Sequence, residues 1–461
     1  MIIDTALLRR YDRPGPRYTS YPTAPQFGSD FGVDALRNVI AATNAEVNPR
    51  NLSLYVHVPY CNSPCFYCGC NRIITRDQSR AQPYVERLLR EFDAISPLFD
   101  AEREVVQLHF GGGTPNFLTP SQLADVVDAL RARFRFSQAD DRDISIELDP
   151  RFVNPAEIGE LASIGFNRAS LGVQDFDPAV QKAVNRIQSF EMTRDVVEAC
   201  REHGMRSVNL DLIYGLPLQT VEGFSRTLDQ VLELRPDRLA VYGYAHMPEM
   251  FRPQRQLNAF DLPTPDVRIA LLQTSIERLT EAGYQYIGMD HFALPNDPLA
   301  KAQRDRTLHR NFMGYTTHAK SDLVGFGVSS ISHIGASFSQ NPRTLPEWEA
   351  AIDEDRIPVW RGMHLNADDL LRADVIQQLM CMGRVDKDDM ESRHGIRFDS
   401  YFKKSLEQLE SLQQEGLVEL PVDAVIATDK GRFLLRIIAM CFDAYLGTKS
   451  GQETPRFSKA I

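Results

Sequence analysis

Residues 55–70 read YVHVPYCNSPCFYCGC, and four of the chain's seven cysteines, Cys61, Cys65, Cys68 and Cys70, fall within them. Residues 52–58 just before the cysteines alternate apolar and polar side chains, the pattern of a half-buried strand. Pro59 withholds the backbone donor that would continue it. The cysteines therefore sit on a loop leaving a strand's C-terminal end, where α/β sheets and barrels keep their active sites. Their spacing, C-x3-C-x2-C plus one further thiol, is too tight for a disulfide framework. Structural zinc is the rival, but it favours two short cysteine pairs separated by a longer loop. Three thiolates on one short loop suit an iron–sulfur cluster with one iron left open for chemistry.

Outward from the loop the chain alternates in type. Residues 105–110, 143–149, 168–173, 207–213, 238–244 and 284–289 read as strands. Between them, 85–95, 119–134, 190–202, 221–234 and 269–282 read as amphipathic helices. The helix from Thr119 opens with the Thr-Pro-Ser-Gln form of a capping box. This rhythm predicts a parallel sheet, wound open or closed into a barrel. From about residue 363 the texture changes: helices over 370–381 and 398–412, a short β stretch near 416–428, then a helix over 430–445. That is a mainly helical, winged-helix-like module. No dense basic recognition helix accompanies it, and no Walker or G-x-G-x-x-G motif occurs anywhere.

The 461 residues are 43% hydrophobic and 25% charged, ordinary for a globular protein. Nothing approaches the ~18 apolar residues of a membrane span, and the start MIIDTALLRRYDR lacks the apolar region of a signal peptide. A thiol-rich loop on such a chain is expected in a reducing cytoplasm. The net charge of −11 argues against nucleic-acid or anionic-membrane partners. Against it, Arg9, Arg10, Arg13 and Arg17 crowd the first residues, interleaved with Pro, Gly and Tyr. By composition that stretch reads as a solvated tail, whereas its interleaved Pro, Gly and Tyr suggest a segment shaped to cover an acidic substrate.

C-x3-C-x2-C with Tyr67 before its last cysteine resembles the radical S-adenosylmethionine (SAM) enzymes. The longer form is similar to their oxygen-independent coproporphyrinogen III oxidase branch. GPRYTSYPTA, HFGGGTP, NRASLGVQDF, NLDLIYGLP, YAHMP, MDHFA, HRNFMGYTT and CFDAYL carry the likeness from about Arg9 to the end. The resemblance implies a partial (βα) barrel over 51–362, a substrate-covering segment over 1–50 and the helical domain over 363–461. It implies a 4Fe–4S cluster on Cys61, Cys65 and Cys68, and two SAM molecules per chain. Tyr55, Gly112, Glu147 and Ile331 match the first SAM site. Tyr67, Gly113, Thr114, Gln174, Arg186, Asp211 and Ala245 match the second. Cys70 lies outside the ligand motif, so it is either a redox or substrate-side group or a small packed residue.

By their residue types alone, Ala245 and Ile331 read equally as packing and Arg186 as surface, whereas Asp211 inside an apolar strand resists a structural reading. His57, His109, His246 and His291 share no metal-ligand spacing and read as core or SAM-lining groups. The implied reaction converts two propionates of coproporphyrinogen III to vinyls without oxygen, giving protoporphyrinogen IX. Its electron donor is expected to be a flavodoxin or ferredoxin, and the enzyme a monomer. A haem-binding chaperone on the same scaffold is the alternative, although such relatives typically lack the Cys70 position and the PRYTSYP segment.

Overall fold

The computed structural model describes residues 5–446 and 457–459. The chain forms two compact units, one of residues 27–263 and 320–364, the other of 1–26, 264–319 and 365–461.

The first unit is a partial (βα) barrel. Its strands are β1 (Asn51–Val58), β2 (Glu104–Gly112), β3 (Asp143–Leu148), β4 (Arg168–Gln174), β5 (Ser207–Tyr214), β6 (Arg238–Gly243), β7 (Ser321–Phe326), β8 (Ile331–Ile334), β9 (Ser337–Gln340) and β10 (Arg361–His364). Their order in the sheet is β6-β5-β4-β3-β2-β1-β7-β8-β9-β10. Pairing is parallel from β6 through β1 to β7 and antiparallel from β7 to β10. Helices return the chain between parallel strands. One begins with the expected capping box, Thr119 accepting from the Gln122 amide and Gln122 from the Thr119 amide.

The two faces of this sheet differ in chemistry. Leu52, Leu54, Val56 and Val58 of β1, Leu108 and Phe110 of β2, and Ile144, Ile146 and Leu148 of β3 are buried on one face. Each such side chain contributes roughly 1.5–3 kcal/mol by leaving water. The opposite face is polar. Ser53 donates to Gln107 (3.2 Å) and lies 2.7 Å from the Ser321 hydroxyl. His109 meets Ser145 (2.8 Å), and Asn209 donates to Ser170 (2.9 Å). Parallel strands usually bury apolar side chains on both faces. A polar interior marks this barrel as a site rather than a filled core.

The second unit gathers three stretches. Pro265–Glu281 is helical, and Gln285–Gly288 pairs antiparallel with His291–Ala293. The expected strand over 284–289 is thus half of a hairpin in this unit, turned by the positive φ of Met289 and Asp290. The helix Ala367–Met382 is tied to this region by Tyr315 donating to the Met380 carbonyl (2.9 Å). A three-stranded wing, Arg384–Asp386, Ala424–Ala427 and Val418–Glu419, completes the winged-helix-like form. The helix expected over 430–445 is shorter, a 3-10 turn at Gly431–Leu434 followed by Leu435–Met440. Residues 264–319 therefore group with the C-terminal region, whereas the expected bounds 51–362 placed them with the barrel.

The arginine-rich N-terminal stretch is satisfied within this unit. Arg9 pairs with Asp266, Arg10 with Glu415, and Arg17 with Asp290 at 3.3 Å. Tyr18 and Tyr21 are buried, and Arg436 donates to the carbonyls of Gly15 and Pro16. The stretch is packed structure with its charges neutralised by neighbouring carboxylates, so three of the four arginines are not free cations waiting for a substrate.

Candidate active site

All the cysteines of the loop and every matched residue lie in the barrel unit. The loop's two ends are pinned together. Tyr60–Cys61 pairs parallel with Ile73–Ile74, the Ile73 amide donates to Pro59 (2.7 Å) and the Thr75 amide to Cys61 (3.0 Å). Inside it, Arg72 reaches the carbonyls of Cys65, Cys68 and Cys70 (3.3, 3.4 and 3.3 Å). From outside, three consecutive residues grip it. Val184 accepts from the Phe66 amide (3.0 Å), Asn185 donates to Pro64 (2.7 Å), and Arg186 donates to the Cys65 sulfur (3.5 Å).

Donors back two of the sulfurs, although burial pushes the Cys61 thiol up to about 11. Thr114 donates to Cys61 Sγ (3.2 Å), and Arg151 to Cys65 Sγ (3.6 Å) beside Arg186. Asp149 anchors both guanidiniums, Arg151 at 2.7 Å and Arg186 at 3.2 Å. A hydrogen bond from Cys70, with Arg72 and Arg186 nearby, outweighs burial and brings the Cys68 thiol down to about 6. No cysteine is bridged. Among the described residues no three His, Cys, Asp or Glu side chains gather round a single ion. A cubane takes each thiolate on a separate iron, so spaced, donor-backed sulfurs on one pinned loop fit that group.

The glycine-rich turn after β2 locks onto the loop's base. The Gly113 amide donates to Val58 (2.8 Å) and the Thr114 amide to Tyr60 (2.9 Å). A Cβ on Gly113 would lie 2.7 Å from the Pro59 carbonyl oxygen. One on Gly112, whose φ is +116°, would lie 2.6 Å from the His57 ring. Close approach of protein to protein therefore fixes these glycines, whatever ligand they also face.

Tyr55, His57, His109 and Glu147 form one network on the polar face. His57 Nε2 donates to the Asn71 carbonyl (3.1 Å), leaving Nδ1 to accept from the Tyr55 hydroxyl (3.0 Å). Burial keeps this imidazole neutral. Glu147 accepts from the Gly112 amide (3.3 Å) and lies 3.4 Å from His109 Nε2, with 45% of its side chain exposed. Asp211 is more enclosed. It accepts only from neutral donors, Ser170 (3.2 Å) and Asn209 (2.9 Å), and burial with the neighbouring Glu147 pushes it up to about 6. Two carboxylates facing a shared interior, with no arginine or lysine paired to either among the described residues, favour a ligand bearing hydroxyls or positive charge.

Around Cys65, Gln174 sits at φ +71° with its buried side-chain oxygen unpartnered. A Cβ on Gly172 would meet Gln174 and Arg186 at 2.8 and 3.0 Å, so their crossing requires glycine there. Tyr67 packs against the buried cluster of Val180, Val184, Leu216, Tyr244 and Leu257. Gln254 ties its carbonyl (3.0 Å) to that of Ala245 (3.1 Å). Ile331 crosses over Gly325, the parallel partner of Tyr55. His246 accepts from or donates to the Tyr244 hydroxyl (2.9 Å), whereas His291 belongs to the second unit. Sequence reading missed Arg72, Arg151, Asn185 and Gln254. Only Arg72, inside the cysteine loop, had a signal in its position.

Comparison with known proteins agrees over the whole chain. The family model described as the radical SAM superfamily matches residues 55–231, and that described as the HemN C-terminal domain matches 365–434. The chain is 50% identical to the oxygen-independent coproporphyrinogen III oxidase of Pseudomonas aeruginosa over 99% of its own length and 98% of that protein's. It is 46% identical to the oxidase of that name from Escherichia coli K12, with the same coverage. A solved structure titled coproporphyrinogen III oxidase (HemN) from Escherichia coli, a radical SAM enzyme, superposes with a TM-score of 0.92 over 97% of this chain and 100% of that one. The chain thus belongs to the oxygen-independent coproporphyrinogen III oxidase family of radical SAM enzymes.

Proposed function

We propose that this protein carries out the oxygen-independent oxidative decarboxylation of two propionate side chains of coproporphyrinogen III, giving the vinyls of protoporphyrinogen IX in haem biosynthesis. Full-length identity to oxidases of that name, together with the cysteine loop they imply, carries this reading. The haem-chaperone alternative is not favoured, because the full-length matches are to oxidases.

Cys61, Cys65 and Cys68 would hold a 4Fe–4S cluster. When bound, the cluster and SAM would together supply a carbon-centred radical able to remove a hydrogen atom. Tyr55, Gly112, Glu147 and Ile331 would position that SAM. Tyr67, Gly113, Thr114, Gln174, Arg186, Asp211 and Ala245 would receive a second. Loss of a hydrogen atom from a propionate β-carbon leaves a substrate radical. Transfer of one further electron to a one-electron acceptor, with loss of carbon dioxide, would then leave the vinyl. The β-hydrogen is too weakly acidic for a side-chain base at neutral pH, so the cofactor carries the hard chemistry and the barrel orients it.

A small electron-transfer protein of the flavodoxin or ferredoxin type would reduce the cluster, and we expect a cytoplasmic monomer. No helix among the described residues is long and apolar enough to cross a membrane. Anaerobic turnover of the reconstituted protein with coproporphyrinogen III, followed by product chromatography, tests the reading. Protoporphyrinogen is the expected product.

A further inference from the structure

The polar face of the barrel continues beyond β1. The Ser53–Ser321 contact carries it to β7, and Leu323 pairs with His333 on β8. On the antiparallel strands Ile331 pairs with Gln340, and Gln340 with Arg361. Directly opposed residues point to one side of a sheet. Ile331, Gln340 and Arg361 therefore form a row on the site's own face. With strands ~4.8 Å apart, Arg361 lies about 10 Å sideways of Ile331.

Arg361 is held but not neutralised. Its guanidinium lies over the Trp360 ring (4.4 Å) and near that of Phe27 (5.7 Å), and its Nε donates to the neutral Gln340 side chain (2.8 Å). Among the described residues no carboxylate pairs with Arg361 or with Arg343. Arg9, Arg10, Arg17, Arg151 and Arg186 each have such an acid. Arg343 is close enough for its like charge to act on Arg361. The Arg343 carbonyl accepts from Asn71 (2.9 Å), whose own carbonyl accepts from His57. The arginine pair is thereby tied through one residue to the cysteine loop and to the Tyr55–His57 network.

We propose that Arg361, with Arg343 beside it, is the anion site that receives a propionate carboxylate of the tetrapyrrole while another propionate is presented to the cysteine loop. The proposal rests on the function proposed above. A guanidinium held over aromatic rings, with no carboxylate paired to it among the described residues, is preorganised for a two-pronged carboxylate contact. The lateral offset suits a flat macrocycle with carboxylates spread round its rim. It also locates the substrate's charge on the barrel instead of on Arg9, Arg10 and Arg17, which have acids of their own.

The test is anaerobic steady-state turnover of the reconstituted full-length protein. Arg361→Gln should raise KM for coproporphyrinogen III about tenfold or more with kcat within about threefold, and leave iron content and substrate-free SAM cleavage unchanged. Arg361→Lys should recover part of the loss, and Arg356→Gln, which removes an exposed charge paired with Glu354, should leave KM unchanged. If Arg361→Gln fails to fold, Arg343→Gln, at an exposed position, should raise KM in its place. A KM within twofold of the parent in the variant that folds overturns the site while the function stands. Absence of turnover in the parent overturns the function, and the site with it.

Discussion

Arg186 donates through one nitrogen to the Cys65 sulfur at 3.5 Å and to Asp149 at 3.2 Å, and through another to the Gly172 carbonyl. A residue 121 positions downstream thus fixes the middle cysteine of the loop. Arg151 reaches the same sulfur from the same carboxylate, so the charge around Cys65 is set by a small closed network.

That network predicts a redox effect. Removing a cation hydrogen-bonded to a thiolate ligand makes the cluster harder to reduce. Arg151→Gln should shift its midpoint more negative by a few tens of millivolts, since about 59 mV is a factor of ten for one electron. Potentiometric titration followed by electron paramagnetic resonance checks this. An unchanged midpoint would show that the contact has no influence on the metal.

The ligand set predicts a division among the cysteines. Cys61→Ala, Cys65→Ala and Cys68→Ala should each lose most of the iron and sulfide bound on reconstitution. Cys70→Ser, at an exposed position whose amide supports Cys68, should retain both. Equal loss in all four would make Cys70 a ligand.

Asp211 predicts a pH dependence. Its folded pKa is raised from 3.8 to about 6, so folding disfavours the ionised form, and the protein loses stability as pH rises between those values. A cationic ligand reverses the preference. Affinity for SAM should therefore increase as pH rises from 5 to 7, and Asp211→Asn should flatten the profile and reduce bound SAM from two per chain to about one. Equilibrium binding across that range, with two sites surviving in the variant, would show the residue to be misassigned.

How far the sequence carried the argument depended on the range of the interactions. The strand before the cysteines, the Thr119 capping box and the alternation of β3 depend on neighbours within a few residues, and all were legible. The hairpin at 284–293 was not, because its turn rests on positive φ at Met289 and Asp290, which neither residue type announces. Asp211 could be singled out as polar in an apolar strand, but its partners Ser170 and Asn209 come from pairing across β4 and β5. The partners of Arg9, Arg10 and Arg17 were hidden for the same reason: the acids Asp266, Glu415 and Asp290 lie far away in sequence.

Those pairs give a further expectation. Arg10 is a largely exposed partner of Glu415, and exposed ion pairs contribute about 0–1 kcal/mol. Arg10→Gln should lower stability by no more than that and leave KM for coproporphyrinogen III within twofold. Denaturant titration and steady-state kinetics check both, and a large rise in KM would return the N-terminal stretch to the substrate site.

The most direct test of the central claim is anaerobic incubation of the reconstituted protein with SAM, a reductant and coproporphyrinogen III, with tetrapyrrole products and carbon dioxide counted. The account predicts protoporphyrinogen with two carbon dioxide molecules per tetrapyrrole, abolished in Cys65→Ala. Cleavage of SAM with the tetrapyrrole recovered intact would contradict it.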